Sequence, residues 1–263
     1  MRTRFALLTA GLLALGSHAA FAADLAPVLK APPRPVPIFS WTGFYVGGHF
    51  GGGWGTTEST LHSINFDHKK VEVLDEWSGG GGGGFSIPLS QTQTNGFLGG
   101  VQGGYNYQVY PWLVLGIEGD FSWTNIKGTS PCVSILACST KHDWLADITG
   151  RVGLTLDRLM FYGKGGVAWA ETTYGASLGI PYYGFSTQVK DTRVGVLVGL
   201  GAEYAFLPDW SAKIEYNFID FGHQDYTFPV SAGHLHFTAN TSIKESLHLV
   251  KAGVNWRFAT GPY

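Results

Sequence analysis

Period-two alternation of apolar and polar side chains, repeated in eight segments, constrains this chain more than any other feature. In residues 97–109 the odd positions are Phe97, Gly99, Val101, Gly103, Tyr105, Tyr107 and Val109, while Gln102, Gly104, Asn106 and Gln108 take even ones. Successive side chains of a strand point to opposite faces, so this segment reads as a strand with one greasy and one polar face. Leu113, Leu115, Ile117, Phe121 and Trp123 alternate likewise with Glu118, Asp120 and Ser122. Trp144, Ala146, Ile148, Val152, Leu154 and Leu156 alternate with Asp147, Thr149 and Arg151. Phe161, Val167 and Trp169 oppose Tyr162 and Lys164, and Val194, Val196, Val198, Leu200 and Tyr204 oppose Arg193, Gly199, Gly201 and Glu203. The last two segments set Ala212, Ile214, Tyr216 and Phe218 against Lys213, Glu215 and Asn217, then Val250, Ala252, Val254, Trp256 and Phe258 against Lys251, Asn255 and Arg257. The first lies in the uncharged "SWTGFYVGGHFGGGWG", with Phe44, Val46, Phe50 and Trp54 on one face and Tyr45, Gly47, His49, Gly51 and Gly53 on the other.

The connections alternate as well. Tyr110-Pro111-Trp112, Asp157-Arg158 and Pro208-Asp209 read as tight turns. Residues 56–94, 124–142, 172–188 and 222–245 read as long polar loops. Short turns at one end and long loops at the other, with both termini in the periplasm, describe an all-β, eight-stranded antiparallel up-and-down transmembrane β-barrel. Eleven residues at ~3.3 Å each extend about 36 Å, and a tilt of about 40° projects them to ~28 Å, the height of an outer-membrane apolar band. Strands of a soluble β-sandwich average nearer six residues, which is too short for these segments.

Arg2 and Arg4, the apolar run Phe5 to Gly16 and the small residues around Ala22 predict a signal peptide over residues 1–22. Its apolar run is shorter than the ~20 residues that span a bilayer as a helix. Residues 23–39, containing "DLAPVLKAPPRPVP", predict an extended proline-rich periplasmic leader, a passive spacer or a peptidoglycan contact through Lys30 and Arg34. The barrel then covers residues 40–258 and a tail residues 259–263. Without Arg2 and Arg4 the 17 Lys and Arg fall to 15 against 19 Asp and Glu, a formal charge of −4, which excludes a nucleic-acid partner. Only 14 % of residues are charged, against ~25 % in ordinary soluble domains.

An eight-stranded barrel encloses just enough space for its own side chains. The inward glycines therefore predict room for a lumenal charge network of Glu118, Asp120, Arg151, Lys164, Glu203, Lys213 and Lys251. Counting from the turns sets Glu118 level with Arg151, Glu203 opposite Lys213, and Lys164 at a height similar to Lys251. These carboxylates read as partners of lumenal cations rather than as acid/base pairs, and no enzymatic activity is expected. Gly79 to Gly84 satisfies G-x-G-x-x-G without a βαβ unit, and Asp220-Phe221-Gly222 reads as a strand end. Cys132 and Cys138 predict a disulfide in an oxidising compartment, with free thiols as the alternative. His62, His68, His142, His223, His234 and His236 fall in predicted external loops. His234-x-His236 could supply two imidazoles to hemin, or be solvated loop residues.

The segments "ADLAPVLKAP", "FSWTGFYVGGHFGGGWG", "TRVGVLVGLGAEYAFLPDWSAKIEYNFIDFG" and "LVKAGVNWRF" resemble the alphaproteobacterial eight-stranded outer-membrane surface-antigen family, relatives of the opacity-type proteins. The resemblance covers almost the whole mature chain. It implies an outer-membrane location among lipid and lipopolysaccharide, assembly by the barrel insertion machinery, and loops open to host or environmental ligands. It also implies porin-like or hemin-binding activity in some relatives. The chain departs from the family in carrying Ala259 to Tyr263 after Phe258, where such chains usually end. The reading reached is a structural and surface-interaction scaffold with a filled lumen, a hemin-binding protein or a small-solute channel being the alternatives.

Overall fold

The computed structural model describes residues 39–66, 69–72, 87–133, 136–178, 185–232 and 235–258. The predicted signal peptide, the leader up to residue 38, the Gly79 to Gly84 run, His68, His234 and the tail 259–263 lie outside the described residues. Ten strands occur in the order β1 (Gly43–Phe66), β2 (Lys69–Glu72), β3 (Ile87–Tyr110), β4 (Leu113–Thr124), β5 (Lys127–Val133), β6 (Leu136–Leu156), β7 (Leu159–Leu178), β8 (Phe185–Ala205), β9 (Trp210–Ala232) and β10 (Leu235–Arg257). β1 pairs antiparallel with both β3 and β10, so the sheet closes on itself, the β8–β9 seam running from Val196 opposite Asp220 to Ala205 opposite Ser211. β4 and β5 are two parts of one wall strand, interrupted at Asn125-Ile126, and both pair with β6. β2 folds back on the end of β1. The ring is the eight-stranded up-and-down barrel that the alternation predicts.

Register and burial put the greasy faces outside. Phe50 and Phe97 are 71 % and 77 % exposed, whereas Tyr45 and His49 on the opposite face of β1 are buried. Such a wall is stable only where the solvent is itself apolar. Three short connections mark one end of the barrel: Pro111-Trp112, Asp157-Arg158 and residues 206–209. Asp157 takes the left-handed conformation there (φ 55°), which aspartate tolerates better than most residues.

At the other end the expected loops are largely strand. β1 and β3 each run 24 residues and β9 and β10 each 23. At ~3.3 Å per residue and a tilt of about 40°, 24 residues project to roughly 60 Å, about twice the apolar band. The described parts of 56–94, 124–142, 172–188 and 222–245 are thus mostly wall rather than loop. Their alternation continues with polar residues outward, such as Glu58, His223, Asp225 and Lys244, and Thr57, Thr140, Thr172, Thr241 and Ile243 buried inward. Threonine suits a pleated wall, and polarity on one face alone does not end a strand.

Two irregularities lie where the membrane wall becomes this extension. Asp143 is an extra residue in β6 between His142 and Trp144, and β9 places Phe221 and Gly222 opposite the single Glu245 of β10. Gly222 adopts φ 63° and its N–H donates to Asp220 Oδ1 at 2.9 Å, the geometry of a β-bulge that bends the strand. Asp220-Phe221-Gly222 is therefore a bulge inside β9 and not a strand end.

Candidate functional site in the lumen

From the turn end inward, the lumen is filled in layers. Trp41, Val114, Met160, Tyr162 and Ala205 form the first, with Phe39 packed against it. Trp41 spans the opening by donating from Nε1 to the Asp157 carbonyl at 3.1 Å, while its own N–H reaches Gln108 Oε1 at 2.9 Å. The chain immediately before β1 thus caps the barrel from within.

The second layer is ionic. Glu118 of β4 is its hub: Lys164 Nζ lies 3.2 Å from Oε1, and Lys213 Nζ and Arg151 Nη1 lie 3.0 and 3.4 Å from Oε2. The hydroxyl of Tyr45 donates to the same Oε2 at 2.8 Å. Arg151 reaches on to Glu203 at 3.2 Å and donates from Nε to Asn106 at 2.9 Å. Its guanidinium sits between the rings of Tyr45 and Tyr162, 4.9 and 5.0 Å from their centroids. Glu215 takes Lys164 at 3.0 Å, Lys213 at 3.2 Å and the Tyr162 hydroxyl at 2.9 Å. Lys251 meets Asp120 at 2.9 Å and Asp147 at 3.8 Å. His49 joins Asp120 (3.5 Å), Gln102 (2.7 Å) and Ser122 (2.8 Å). Every one of these charged groups is buried, so each depends on its partners rather than on water.

All seven residues expected in the network meet there, with two differences. Glu203 and Lys213 are register partners, but their charges turn away from one another: Lys213 goes to Glu118 and Glu215, and Glu203 to Arg151. Glu203 Oε1 instead accepts from Ser211 and Asn255 at 2.5 and 2.9 Å. The inward glycines, expected to make room for the charged chains, admit tyrosines and asparagines at Gly47, Gly104, Gly116, Gly199 and Gly201. A Cβ on Gly104 would lie 2.4 Å from the Tyr45 hydroxyl, on Gly201 2.4 Å from the Tyr162 ring, and on Gly199 2.2 Å from Asn217 Oδ1. Only at Gly116 does Arg151 come close, at 3.0 Å. Asp147, Glu215 and His49 were missed as members, although all three occupy polar positions of the alternation.

A third, apolar layer lies above the charges: Leu98, Ile126, Leu145, Leu197, Ile219, Phe221, Leu247 and Leu249, with Ala168 and Ala170. It crosses the lumen as a septum. Ile126 enters it at the β4–β5 break, where Gly53 leaves room; a Cβ there would be 2.6 Å from Ile126 Cδ1.

Beyond the septum a smaller polar set surrounds Glu245. His142 Nε2 lies 2.9 Å from Glu245 Oε1, Tyr174 donates to Oε2 at 2.6 Å, and Arg193 lies 3.5 Å from Oε2. Arg193 also donates to the carbonyls of Phe221, Gly222 and Ile243. His142, expected in an external loop, is fully buried here and pairs its Nδ1 with Thr172 at 3.0 Å. His62 and His223 are exposed. His236 registers with Ser231 in β10, and its side chain is outside those described. No cluster among the described residues could hold a metal ion. Cys138 is disulfide-bonded and registers opposite Ser130; the side chain of Cys132 is outside those described. Gly175 to Gly179 spell G-x-S-x-G, yet Ser177 is exposed within β7 and registers with Ala137 and Ser186, whereas a nucleophile elbow places its serine on a strand-to-helix turn.

Residues 8–258 match a family model described as outer membrane protein beta-barrel domain. The chain is 32 % identical over 258 residues to the 31 kDa outer-membrane immunogenic protein of Brucella melitensis, covering 96 % of this chain and 99 % of that protein. It is 27 % identical over 161 residues to the 22 kDa outer membrane protein of Rhizobium leguminosarum, covering 59 % and 70 %. Among solved structures it resembles the outer membrane protease OmpT from Escherichia coli with a TM-score of 0.52 at 10 % identity, covering 82 % of this chain and 97 % of that one. That likeness concerns barrel architecture alone.

Proposed function

Because the chain belongs to the outer membrane protein β-barrel domain family, and its place is the outer membrane, we propose that it acts there as a structural and surface-interaction scaffold rather than as a channel. The observation that carries this reading is the succession of apolar cap, ionic layer and apolar septum across one lumen. A pore needs a continuous wet path, and each layer interrupts it with buried side chains. The family's usual orientation puts the short turns in the periplasm, so the strand extension stands above the outer leaflet and presents its hairpins to partners. The names of the Brucella relatives, outer-membrane immunogenic proteins, support a surface-exposed role for such extensions. In this reading the ionic layer fixes barrel shape and the hairpins carry recognition.

A deletion strain tests the role directly. Detergent sensitivity and vesicle release should rise, and should return to normal on resupply of the wild-type chain. Normal envelopes in the deletion strain would remove the structural half of the reading.

A further inference from the structure

We infer that the split between β8 and β9 above the septum is a docking slot for an extended segment of another polypeptide, apolar at every second residue. Among the described residues β8 and β9 pair only from Val196 opposite Asp220 to Ala205 opposite Ser211. Farther out, β8 stays in register with β7 as far as Phe185, and β9 with β10 as far as Ala232. Residues 185–195 and 221–232 therefore face each other without a ladder. Two features of β9 suit a strand that leaves its neighbour. The bulge at Gly222 bends it just where the ladder ends. Pro229 lies within it, and proline, which donates nothing to a ladder, is confined in sheets to edges, first residues and bulges.

Side chains bridge the root of the split. Arg193 of β8 donates to the carbonyls of Phe221 and Gly222 at 3.1 Å each, and Tyr226 of β9 donates to Asp191 Oδ2 at 2.9 Å. Solvent still reaches the inward face there. Along β8, Gly195 and Arg193 are buried but Asp191 and Val189 only half-buried, and Gln224 of β9 is exposed although its register partner Ile243 is buried. On the strands to either side, Tyr174 of β7 and Thr241 of β10 remain buried. Tyr174, Tyr226 and Ile243 form an apolar cluster beside the split, with Val189 packed against it and the two tyrosine rings 5.3 Å apart.

The chemistry of the slot selects its occupant. A strand edge offers backbone donors and acceptors at a spacing that another extended backbone matches. β8 carries no proline in residues 185–195, so every residue of its edge keeps an N–H, and antiparallel addition there is the more stable sense. An added strand turns alternate side chains inward to Val189 and the tyrosine cluster, and the others outward, level with exposed Lys190 and, on β9, Asp225. The partner must alternate accordingly. With the short turns in the periplasm, as proposed above, the slot opens outside the cell and its partner comes from there.

Fluorescence anisotropy of the folded full chain in detergent tests the slot, with a labelled peptide of alternating valine and threonine between terminal lysines as the probe. The peptide should bind one-to-one and slow amide hydrogen exchange in residues 185–195 but not in 211–220. The same peptide N-methylated at every amide should bind roughly tenfold more weakly, because it keeps the side chains and loses the backbone donors. Val189→Asp, which sets a charge against the apolar positions, should weaken binding by a similar factor, whereas Glu58→Gln on β1 should leave it unchanged. Heat-modifiable migration confirms that both variants fold. No binding of the plain peptide, equal binding of the N-methylated one, or unchanged exchange in residues 185–195 would overturn the proposal, and all three are read on the wild-type chain. So would equal binding by Val189→Asp, or a dimer of the chain that excludes the peptide. The deletion-strain phenotype is read separately, so normal envelopes beside an intact peptide site would count against the scaffold and not against the slot.

Discussion

Below the septum, five carboxylates (Glu118, Asp120, Asp147, Glu203, Glu215) and four cations (Arg151, Lys164, Lys213, Lys251) pair with one another across β4 and β6 to β10. Above it, Glu245 faces Arg193 and His142, and the remaining hydrogen bonds go to Tyr174, Thr172 and backbone carbonyls. The outer wall differs in step. Around the lower layer it is Val46, Ile117, Val152 and Val198, and around the upper one it is Glu58, Asp225 and Lys244. Where lipid surrounds the wall, the hub carboxylates Glu118 and Glu215 each gather three cations. In the extension, a cation held partly by carbonyls suffices. The two layers teach that redundancy of charge follows the surrounding solvent rather than burial, since both are buried.

Removing one hub from each layer puts the largest strain on that comparison. Glu118→Ala leaves Arg151, Lys164 and Lys213 short of a partner and should cost about 3–5 kcal/mol in urea unfolding from micelles. Glu245→Ala leaves Arg193 its carbonyl partners and should cost about 1–3 kcal/mol. Equal losses would break the distinction. Next in size, Val198→Arg puts an unpartnered charge on the lipid side of the lower layer and should destabilise by about 2–4 kcal/mol. Normal heat-modifiable migration of that variant would mean the strand faces are exchanged. Within the lower layer, a double-mutant cycle on Arg151 and Glu203 should give a coupling of about 0.5–3 kcal/mol, larger than that of the register pair Glu203 and Lys213. A larger coupling for the second pair would restore the direct pairing that the geometry withholds. The smallest effects belong to the glycines. Gly47→Ala, 2.2 Å from Asn255 Oδ1, should destabilise, while its neighbour Gly48→Ala should stabilise by about 0.4–1 kcal/mol through the unfolded chain. The same thermal-melt assay reads both signs.

Strand faces, turn positions and the closed barrel were legible because period two and lipid exposure act on every residue alike. So was part of the charge network, since large polar side chains at one height of the inward face have to meet, although Asp147, Glu215 and His49 belong to it as well. Pairing within it was not: Lys213 and Glu203 stand opposite in register, but a lysine stem can reach several carboxylates, and the choice depends on neighbours such as Ser211 and Asn255. The septum escaped notice because Leu197, Ile219, Leu247 and Leu249 sit on a face otherwise read as polar. The extension escaped because its outward residues are as polar as a loop's, and only the inward Thr57, Tyr226 and Ile243 mark it as wall.

The filled lumen is tested most directly by planar-bilayer current from the purified full-length barrel. The account predicts a flat trace, with no discrete steps of porin size. Reproducible single-channel steps from the wild-type chain would contradict it, because cap, ionic layer and septum could not then be stacked as they are across one lumen.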